Sequence, residues 1–166
     1  ASDRRTTIVM THGLFRSRWE LLPRAVDFWK RGYAVLVYDM RRHGRSSGEF
    51  ASLGYDERHD VEAALAFSQT QAPDNRIVLF GVSMGGAATL MAASETGGVA
   101  AVVADSSFLS LEHTVDHHLA LAGIPTLPFA PMLTWMTALR LGFRPGQFDV
   151  RDAVSRISVP ILFIGG

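Results

Sequence analysis

The sequence predicts an α/β fold in which a doubly wound parallel sheet carries helices on both faces. Short apolar runs of strand length recur along the chain, and segments with helical spacing of apolar residues alternate with them. Connections of this kind are right-handed and leave the strands parallel. No repeat, low-complexity stretch or internal boundary interrupts the alternation, so we expect a single domain over residues 1–166.

The strands are predicted from five apolar, partly β-branched runs, which are typical of strands buried on both faces. They cover residues 6–10, 33–38, 76–80, 99–104 and 160–164. The same pattern analysis predicts helices over residues 18–31, 56–71, 84–96, 108–121 and 127–141. Ser17 is a candidate N-cap of the first helix and Gly32 its stop, whereas Gly97 and Gly98 end the third.

The most informative motif is a G-x-S-x-G pattern, Gly81 to Gly85, between the third strand and the third helix. Its glycines allow strand and helix to approach closely, and Ser83 occupies a strained position with its hydroxyl exposed above the sheet. The helix directs its positive end at any anion that forms there. The motif therefore predicts a nucleophile at Ser83, and an ordinary glycine-rich turn is the alternative for these five residues alone.

Two more segments complete a family pattern. The sequence IVMTHG ends a strand in His12-Gly13, and DMRRHGRSSG at residues 39–48 is similar to a D-x-R-G-x-G-x-S-x-G loop. With the serine motif as nucleophile elbow, and VVADSS at residues 102–107, the chain resembles the α/β-hydrolase superfamily, in its serine esterase and prolyl-oligopeptidase-like branch. The resemblance runs over residues 6–165. One departure is Arg42, which stands where the family has glycine, so that a positive φ would strain it.

The resemblance implies that the five strands lie in the order 2-1-3-4-5. The first and third strands then meet where the winding reverses, which is where open α/β sheets bind ligands. It also implies an oxyanion hole made of main-chain amides: one donor is Met84, and the other follows the first strand, with Leu14 preferred and Phe15 as the alternative. Residues 107–150 stand where the family inserts lid elements, so we expect a helical, lid-like insertion, with core packing as the alternative.

The catalytic acid and histidine are not predicted within these residues. By resemblance both follow the last strand, and two more strands precede the first, so the chain corresponds to the centre of a larger hydrolase. We expect little or no turnover from it alone. Asp105, at the end of the fourth strand, is a weak alternative acid, and a turn cap for the next helix is the favoured interpretation.

The histidines are expected to have other roles. His12 is tied to the first loop and is interpreted as structural. His43 is expected to be hydrogen-bonded or solvated in its glycine-rich loop, and His59 to belong to a solvated helix face. His113 and His117 have the i, i+4 spacing of a metal pair, but no third ligand is apparent. A polar helix face is favoured, and we expect neither a metal nor a cofactor.

Composition limits the partners. The formal net charge is zero, so bulk attraction to nucleic acid or to an anionic membrane is not expected. The chain has no cysteine, which excludes disulfides and a thiol nucleophile and fits a cytoplasmic location. Residues 119–139 carry no charge, but Pro125, Pro128 and Pro131 interrupt them, so two short helices joined by a proline-rich linker are expected rather than a membrane span.

Two classes of function stay open at this stage. The first is a serine hydrolase that acts on a small-molecule ester or related acyl substrate through an acyl-enzyme on Ser83. The second is a non-catalytic member of the fold that serves as a binding or interaction module. The intact serine motif favours the enzyme, and a dehalogenase is disfavoured because it would require aspartate at this position. Oligomeric state is not predicted.

Overall fold

A five-stranded parallel sheet organises the molecule and confirms the predicted strand order. The computed structural model describes residues 5–108, 110–144 and 146–165, apart from the side chain of His118. The order across the sheet is β2-β1-β3-β4-β5, with all neighbours parallel. The strand bounds are β1 Thr6–Thr11, β2 Ala34–Val37, β3 Arg76–Val82, β4 Ala101–Asp105 and β5 Ile161–Ile164.

The register brings the ends of β1 and β3 to the same level. Thr11 pairs with Gly81 at the last step of the β1–β3 ladder, and Val82 pairs with Asp105 on the other side. The residues that follow these three strands therefore gather at one edge of the sheet. This is the edge at which the resemblance implied a ligand site.

Helices cover both faces of the sheet. Their bounds are α1 Leu22–Lys30, α2 Glu57–Gln71, α3 Met84–Glu95, α4 Leu111–Leu121, α5 Thr126–Leu141 and α6 Val150–Arg156. One face packs α1 against Ile8, Met10 and Phe80, and the other packs α2 and α3 against Val9 and Leu79. The first nine residues of α3, Met84 to Ala92, are all buried, which fits a central helix that is apolar all round.

The first helix begins later than the sequence predicted. Residues Arg18–Glu20 form a 3-10 turn, and α1 follows with Pro23 in its first turn, where a missing amide costs nothing. The side chain of Ser17 makes no capping hydrogen bond. The amide of Arg18 instead donates to the Asp39 carboxylate at 2.8 Å, so a contact from the distant β2 loop replaces the local cap.

Two other helix predictions also need correction. The helix expected from residue 108 begins at Leu111, where the Ser110 hydroxyl accepts the His113 amide at 3.1 Å. Helix α6 was not predicted, although the Asp149 carboxylate caps its first turn by accepting the Arg151 amide at 2.9 Å. Its seven residues are too short for a clear apolar period.

The uncharged residues 119–139 form the end of α4, the loop after it and most of α5. Pro125 lies outside the helices, but Pro128 and Pro131 lie within α5, where Leu127 departs from helical geometry. The expected proline-rich linker is therefore shorter than predicted. Pro128 is tolerated in the first turn of the helix, whereas Pro131 lies inside it. Within the described part of the chain, no helix is both long enough and apolar enough to cross a membrane.

Candidate active site

Ser83 sits at the turn that joins β3 to α3. Its backbone has φ 52° and ψ −117°, in a region that residues with side chains rarely adopt. Its amide donates to the carbonyl of Asp105 at 2.8 Å, and its own carbonyl accepts the amides of Gly86 and Ala87. These bonds to β4 and to the first turn of α3 fix the strained geometry, and they leave the side chain partly exposed.

The neighbouring glycines are required by close approach. A methyl group added at Gly85 would lie 2.4 Å from the carbonyl oxygen of His12, and one added at Gly81 would lie 2.3 Å from the carbonyl oxygen of Gly85. Both contacts are with backbone atoms, which cannot move aside as a side chain can. The glycines of the motif are therefore needed for packing as well as for the turn.

The loop after β1 lies beside Ser83. A methyl group built on Gly13 would lie 3.7 Å from the Cβ atom of Ser83. The amide of Gly13 donates to the Glu20 carboxylate at 2.8 Å, and the amide of Phe15 donates to Nε2 of His43 at 3.2 Å. For the amide of Leu14, which stands between them, the described residues provide no acceptor.

A cleft of about 650 Å³ opens above these elements. Ser83, Leu14 and Met84 line it together, so the structure gathers the three residues that the sequence predicted for the site. Apolar side chains of Leu53, Phe108 and Leu111 contribute to its walls. The volume is within the usual range for small-molecule sites.

Comparison with known proteins identifies the family. The sequence model of the serine aminopeptidase S33 family, of the α/β-hydrolases, matches residues 2–157. The chain belongs to this family. It is 28% identical to the uncharacterized protein YqkD of Bacillus subtilis over 166 residues, which are 98% of this chain and 54% of YqkD.

Two further similar proteins are a quorum-quenching protein and an esterase. The quorum-quenching protein AidA of Acinetobacter baumannii is 36% identical over 106 residues, which are 61% of this chain and 35% of AidA. The Pyrococcus furiosus esterase PF2001 superposes with a TM-score of 0.74 at 28% identity, covering 98% of this chain and 62% of the esterase. The α/β-hydrolase chain thus spans just over half of YqkD and under two thirds of PF2001.

In this α/β-hydrolase, His12 is structural, as the sequence predicted. It is fully buried, its Nδ1 lies 2.8 Å from the carbonyl of Gly13, and its Nε2 accepts the amide of Met40 at 3.1 Å. Burial, more than any other influence, lowers the pKa of the imidazole below its usual 6.5, and the nearby His43 ring lowers it further. Both nitrogens are therefore engaged, and the ring is held neutral.

The loop after β2 is fixed by polar contacts. Burial opposes ionisation of Asp39, but the amides of Arg18 and Arg45 and the Arg18 guanidinium outweigh it and lower the pKa of the carboxyl. Arg41 forms a bidentate ion pair with Asp60, which raises the pKa of the guanidinium. Arg41 is thus engaged within the protein rather than free for a substrate carboxylate.

Asp105 does not act as the predicted turn cap. Its carboxylate pairs with the Arg24 guanidinium at 2.9 Å and accepts the hydroxyl of Ser106 at 3.0 Å. Five residues separate it from the start of α4, whose first turn is capped by Ser110 instead. The ion pair directs it towards α1, and among the described residues no histidine contacts it.

Helix α4 brings two histidines to the cleft that sequence reasoning could not place near Ser83. His113, Thr114 and His117 all line its wall. The i, i+4 spacing indicated only that the two histidines share a helix face, and the loop before α4 decides what that face meets. No cluster of three or more metal-binding side chains occurs in the described residues. His59, by contrast, pairs with Glu62 at 2.9 Å on the solvated face of α2.

Proposed function

We propose that the protein is a serine hydrolase that acts on a small ester or related acyl substrate through an acyl-enzyme on Ser83. The observation that carries this proposal is the strained backbone of Ser83 at the mouth of the cleft. A turn of this cost persists only where the surrounding structure holds it, and such strain concentrates at functional sites. Membership of an α/β-hydrolase family and the likeness to an esterase support the same reaction class.

In this mechanism the Ser83 hydroxyl attacks the acyl carbonyl and gives its proton to a base, which passes the proton to the leaving oxygen so that the alcohol departs. Water, deprotonated by the same base, then attacks the ester on Ser83, releases the carboxylic acid and restores the hydroxyl. The tetrahedral oxyanion accepts hydrogen bonds from the amides of Met84 and Leu14. Met84 is the first residue of α3, so the helix dipole adds to its hydrogen bond. Removal of one such donor typically raises the barrier by about 3–4 kcal/mol.

The contacts of the β1 loop favour Leu14 over Phe15 as the second donor. The amide of Phe15 already donates to His43, and that of Gly13 to Glu20. An oxyanion-hole donor must be unpaired before substrate binds, because a bond that is already satisfied adds nothing in the transition state. In the described part of the loop, the amide of Leu14 meets this requirement.

The apolar walls of the cleft suit the acyl group. Leu14, Leu53, Phe108 and Leu111 surround the space next to Ser83, and burial of each methylene group of a substrate contributes about 0.8 kcal/mol. We assign residues 107–150 a lid-like role, because α4 forms one wall of this cleft while most apolar side chains of α5 are exposed. No metal or cofactor takes part in the proposed reaction.

The base and the acid are proposed to come from the remainder of a longer protein. Asp105 is committed to Arg24, and both ring nitrogens of His12 are engaged. Since the chain spans 54% of YqkD and 62% of PF2001, we expect residues 1–166 alone to have little or no turnover. The family positions for both groups follow β5.

The test is covalent labelling by an activated phosphonate, which mimics the acyl substrate. We expect stoichiometric labelling of the protein and of Ser107→Ala, whose serine lines the same cleft, and none of Ser83→Ala. Because a chain without its base can label slowly, the full-length gene product is tested in parallel. Labelling that survives Ser83→Ala refutes the assignment.

A non-catalytic binding module is the second candidate. The observation that favours it is that Asp105, whose carbonyl accepts the Ser83 amide, pairs through its carboxylate with Arg24 on α1 and not with a histidine. In that case the full-length protein would bind an ester without hydrolysing it to the carboxylic acid and the alcohol. The phosphonate would then not label the protein.

A further inference from the structure

We infer that His43 is a positioning residue for the proposed hydrolysis, because it holds the oxyanion loop, defined as residues 13–16, in its active shape. The inference rests on the proposed function of Leu14 as an oxyanion donor. His43 lies on the separate loop after β2 and makes its contact with the oxyanion loop through one ring nitrogen. The role is to set where the Leu14 amide stands, without touching the substrate.

The oxyanion loop contains a strained residue that its own side chain does not stabilise. Phe15 has φ 58°, a left-handed conformation that costs a residue with a side chain roughly 1–2 kcal/mol. Its ring is 88% exposed, so packing does not offset this cost. Two hydrogen bonds hold the residue in place: its amide donates to Nε2 of His43 at 3.2 Å, and the amide of Arg16 donates to the carbonyl of Gly13 at 3.3 Å and closes the turn around it. Of the two, the bond to His43 is the one that ties Phe15 to another loop.

The ring of His43 is oriented to be an acceptor at Nε2. His43 is buried, and its Nδ1 lies 2.8 Å from the carbonyl of Arg41. A carbonyl can only accept, so Nδ1 carries the proton and Nε2 presents its lone pair to the Phe15 amide. The tautomer that supports the oxyanion loop is therefore selected by the loop after β2.

A second histidine makes the reciprocal connection. The ring of His12 lies 5.1 Å from that of His43 in an edge-on arrangement. Its Nε2 accepts the Met40 amide from the β2 loop, and its Nδ1 donates to the carbonyl of Gly13. The oxyanion loop thus donates an amide to His43 of the β2 loop, and the β2 loop donates an amide to His12, which directly precedes the oxyanion loop. The two rings form one buried connection between the loops.

These contacts determine the orientation of the Leu14 amide. The amides on either side of it are held by Glu20 and His43, which fixes the peptide planes that orient its own amide. If His43 cannot accept, Phe15 is released from its strained conformation and the Leu14 amide moves. A displacement of about 1 Å at a catalytic group can cost on the order of 100-fold in rate.

Two substitutions separate the two contacts of His43. Glutamine places its amide oxygen near the former Nε2, so His43→Gln keeps an acceptor for Phe15. Asparagine is one carbon shorter, so His43→Asn keeps a donor for the Arg41 carbonyl and loses the acceptor. The pair is matched in polarity: His43→Asn loses the bond to Phe15 that the inference depends on, whereas His43→Gln loses the bond to the Arg41 carbonyl.

The experiment measures phosphonate labelling of Ser83 and hydrogen exchange of the Phe15 amide in the full-length gene product. For His43→Asn we expect the maximal labelling rate to fall by about 10- to 100-fold, with the half-saturating phosphonate concentration changed by less than about threefold. The Phe15 amide should exchange at least about tenfold faster. His43→Gln should stay close to the wild type in all three quantities.

The inference is overturned if His43→Asn and His43→Gln label alike, or if Phe15 exchanges alike in both. Should His43→Asn fail to fold, the wild type and His43→Gln decide, because an unprotected Phe15 amide in either contradicts the proposed bond. If the wild type does not label at Ser83, the proposed function fails instead. The exchange measurement then still decides whether His43 holds the loop.

Discussion

Arg42 carries a conformational cost that its family position makes understandable. The residue stands where α/β-hydrolases of this pattern have glycine, and its φ is 61°, as the sequence led us to suspect. Its amide donates to the carbonyl of Ser47 at 3.1 Å, so the turn is retained despite the side chain. Arg42 therefore adopts a backbone conformation that glycine would adopt without strain.

Arg42→Gly is therefore expected to stabilise the protein. Relief of the left-handed strain increases the free energy of unfolding by roughly 1–2 kcal/mol. The extra backbone freedom of glycine in the unfolded chain lowers it again by about 0.5–1 kcal/mol. The net increase in the free energy of unfolding is about 0.5–1 kcal/mol, measured by urea denaturation. Arg45→Gly, in the same loop but not left-handed, should lose stability, and a loss for Arg42→Gly would contradict the interpretation.

Buried His12 makes stability depend on pH in the mildly acidic range. Its pKa is lower in the folded protein than the usual 6.5, so just below pH 6.5 the unfolded chain binds more protons. Stability therefore rises with pH in this window and is lost as the pH falls from about 7 to 5, by at most about 1.4 kcal/mol per pH unit for one proton.

Urea denaturation at pH 7, 6 and 5 measures this slope. His12→Asn should be less stable at pH 7 and show a shallower dependence on pH. His59→Asn, at an exposed histidine on α2, should keep the slope of the wild type. Equal slopes for His12→Asn and the wild type would show that His12 does not take up the proton.

At the level of elements, β3, the serine turn and α3 form a unit defined by backbone contact. The first residues of α3 pass so close to the end of β1 that no Cβ atom fits at Gly85. This contact places the start of α3 against His12, and so fixes Ser83 relative to the oxyanion loop. The same backbone contact therefore packs α3 against the sheet and positions Ser83 in the site.

Gly85→Ala is expected to reduce the free energy of unfolding by at least about 3 kcal/mol, since its methyl group overlaps two backbone carbonyls. The matched control is Gly97→Ala after the end of α3, where an added methyl group meets nothing within 4 Å. That change should be neutral or stabilise by up to about 1 kcal/mol. Similar unfolding midpoints for the two variants would disprove the packing argument.

At the level of the whole molecule, β5 is an apolar edge of the described sheet. Leu162 and Phe163 are each 56% exposed, and Ile164 is 41% exposed. Unpaired strands with exposed apolar side chains pair with other chains. We expect a protein of these 166 residues to self-associate through this edge.

Sedimentation velocity across a concentration series tests this expectation. A double variant, Leu162→Lys with Phe163→Lys, places a charge on each face of β5 and should remain monomeric. Trp29→Lys removes a more exposed apolar side chain from α1 and should still associate. Association that persists in the double variant would place the contact elsewhere.

Features that depend on residues close together in the sequence could be predicted, whereas features that depend on contacts between distant residues could not. The turn at Ser83 follows from neighbouring residues, so its position could be predicted, as could the strand before it and the helix after it. The start of α1 could not, because the Arg18 amide is taken by Asp39 from another loop. The ion pair of Asp105 with Arg24 and the position of His113 on the cleft likewise depend on residues far apart in the chain.

The sequence by itself determined the alternation of strands and helices, the strained serine between two glycines, and, through family resemblance, the order of the sheet. Only the tertiary structure decided that His12 and His43 join two loops, that the Phe15 amide is occupied while no described residue accepts that of Leu14, and that α4 lines the cleft. Local geometry is encoded by residues a few positions apart. A hydrogen bond between loops exists only once the sheet has brought the ends of β1 and β2 together.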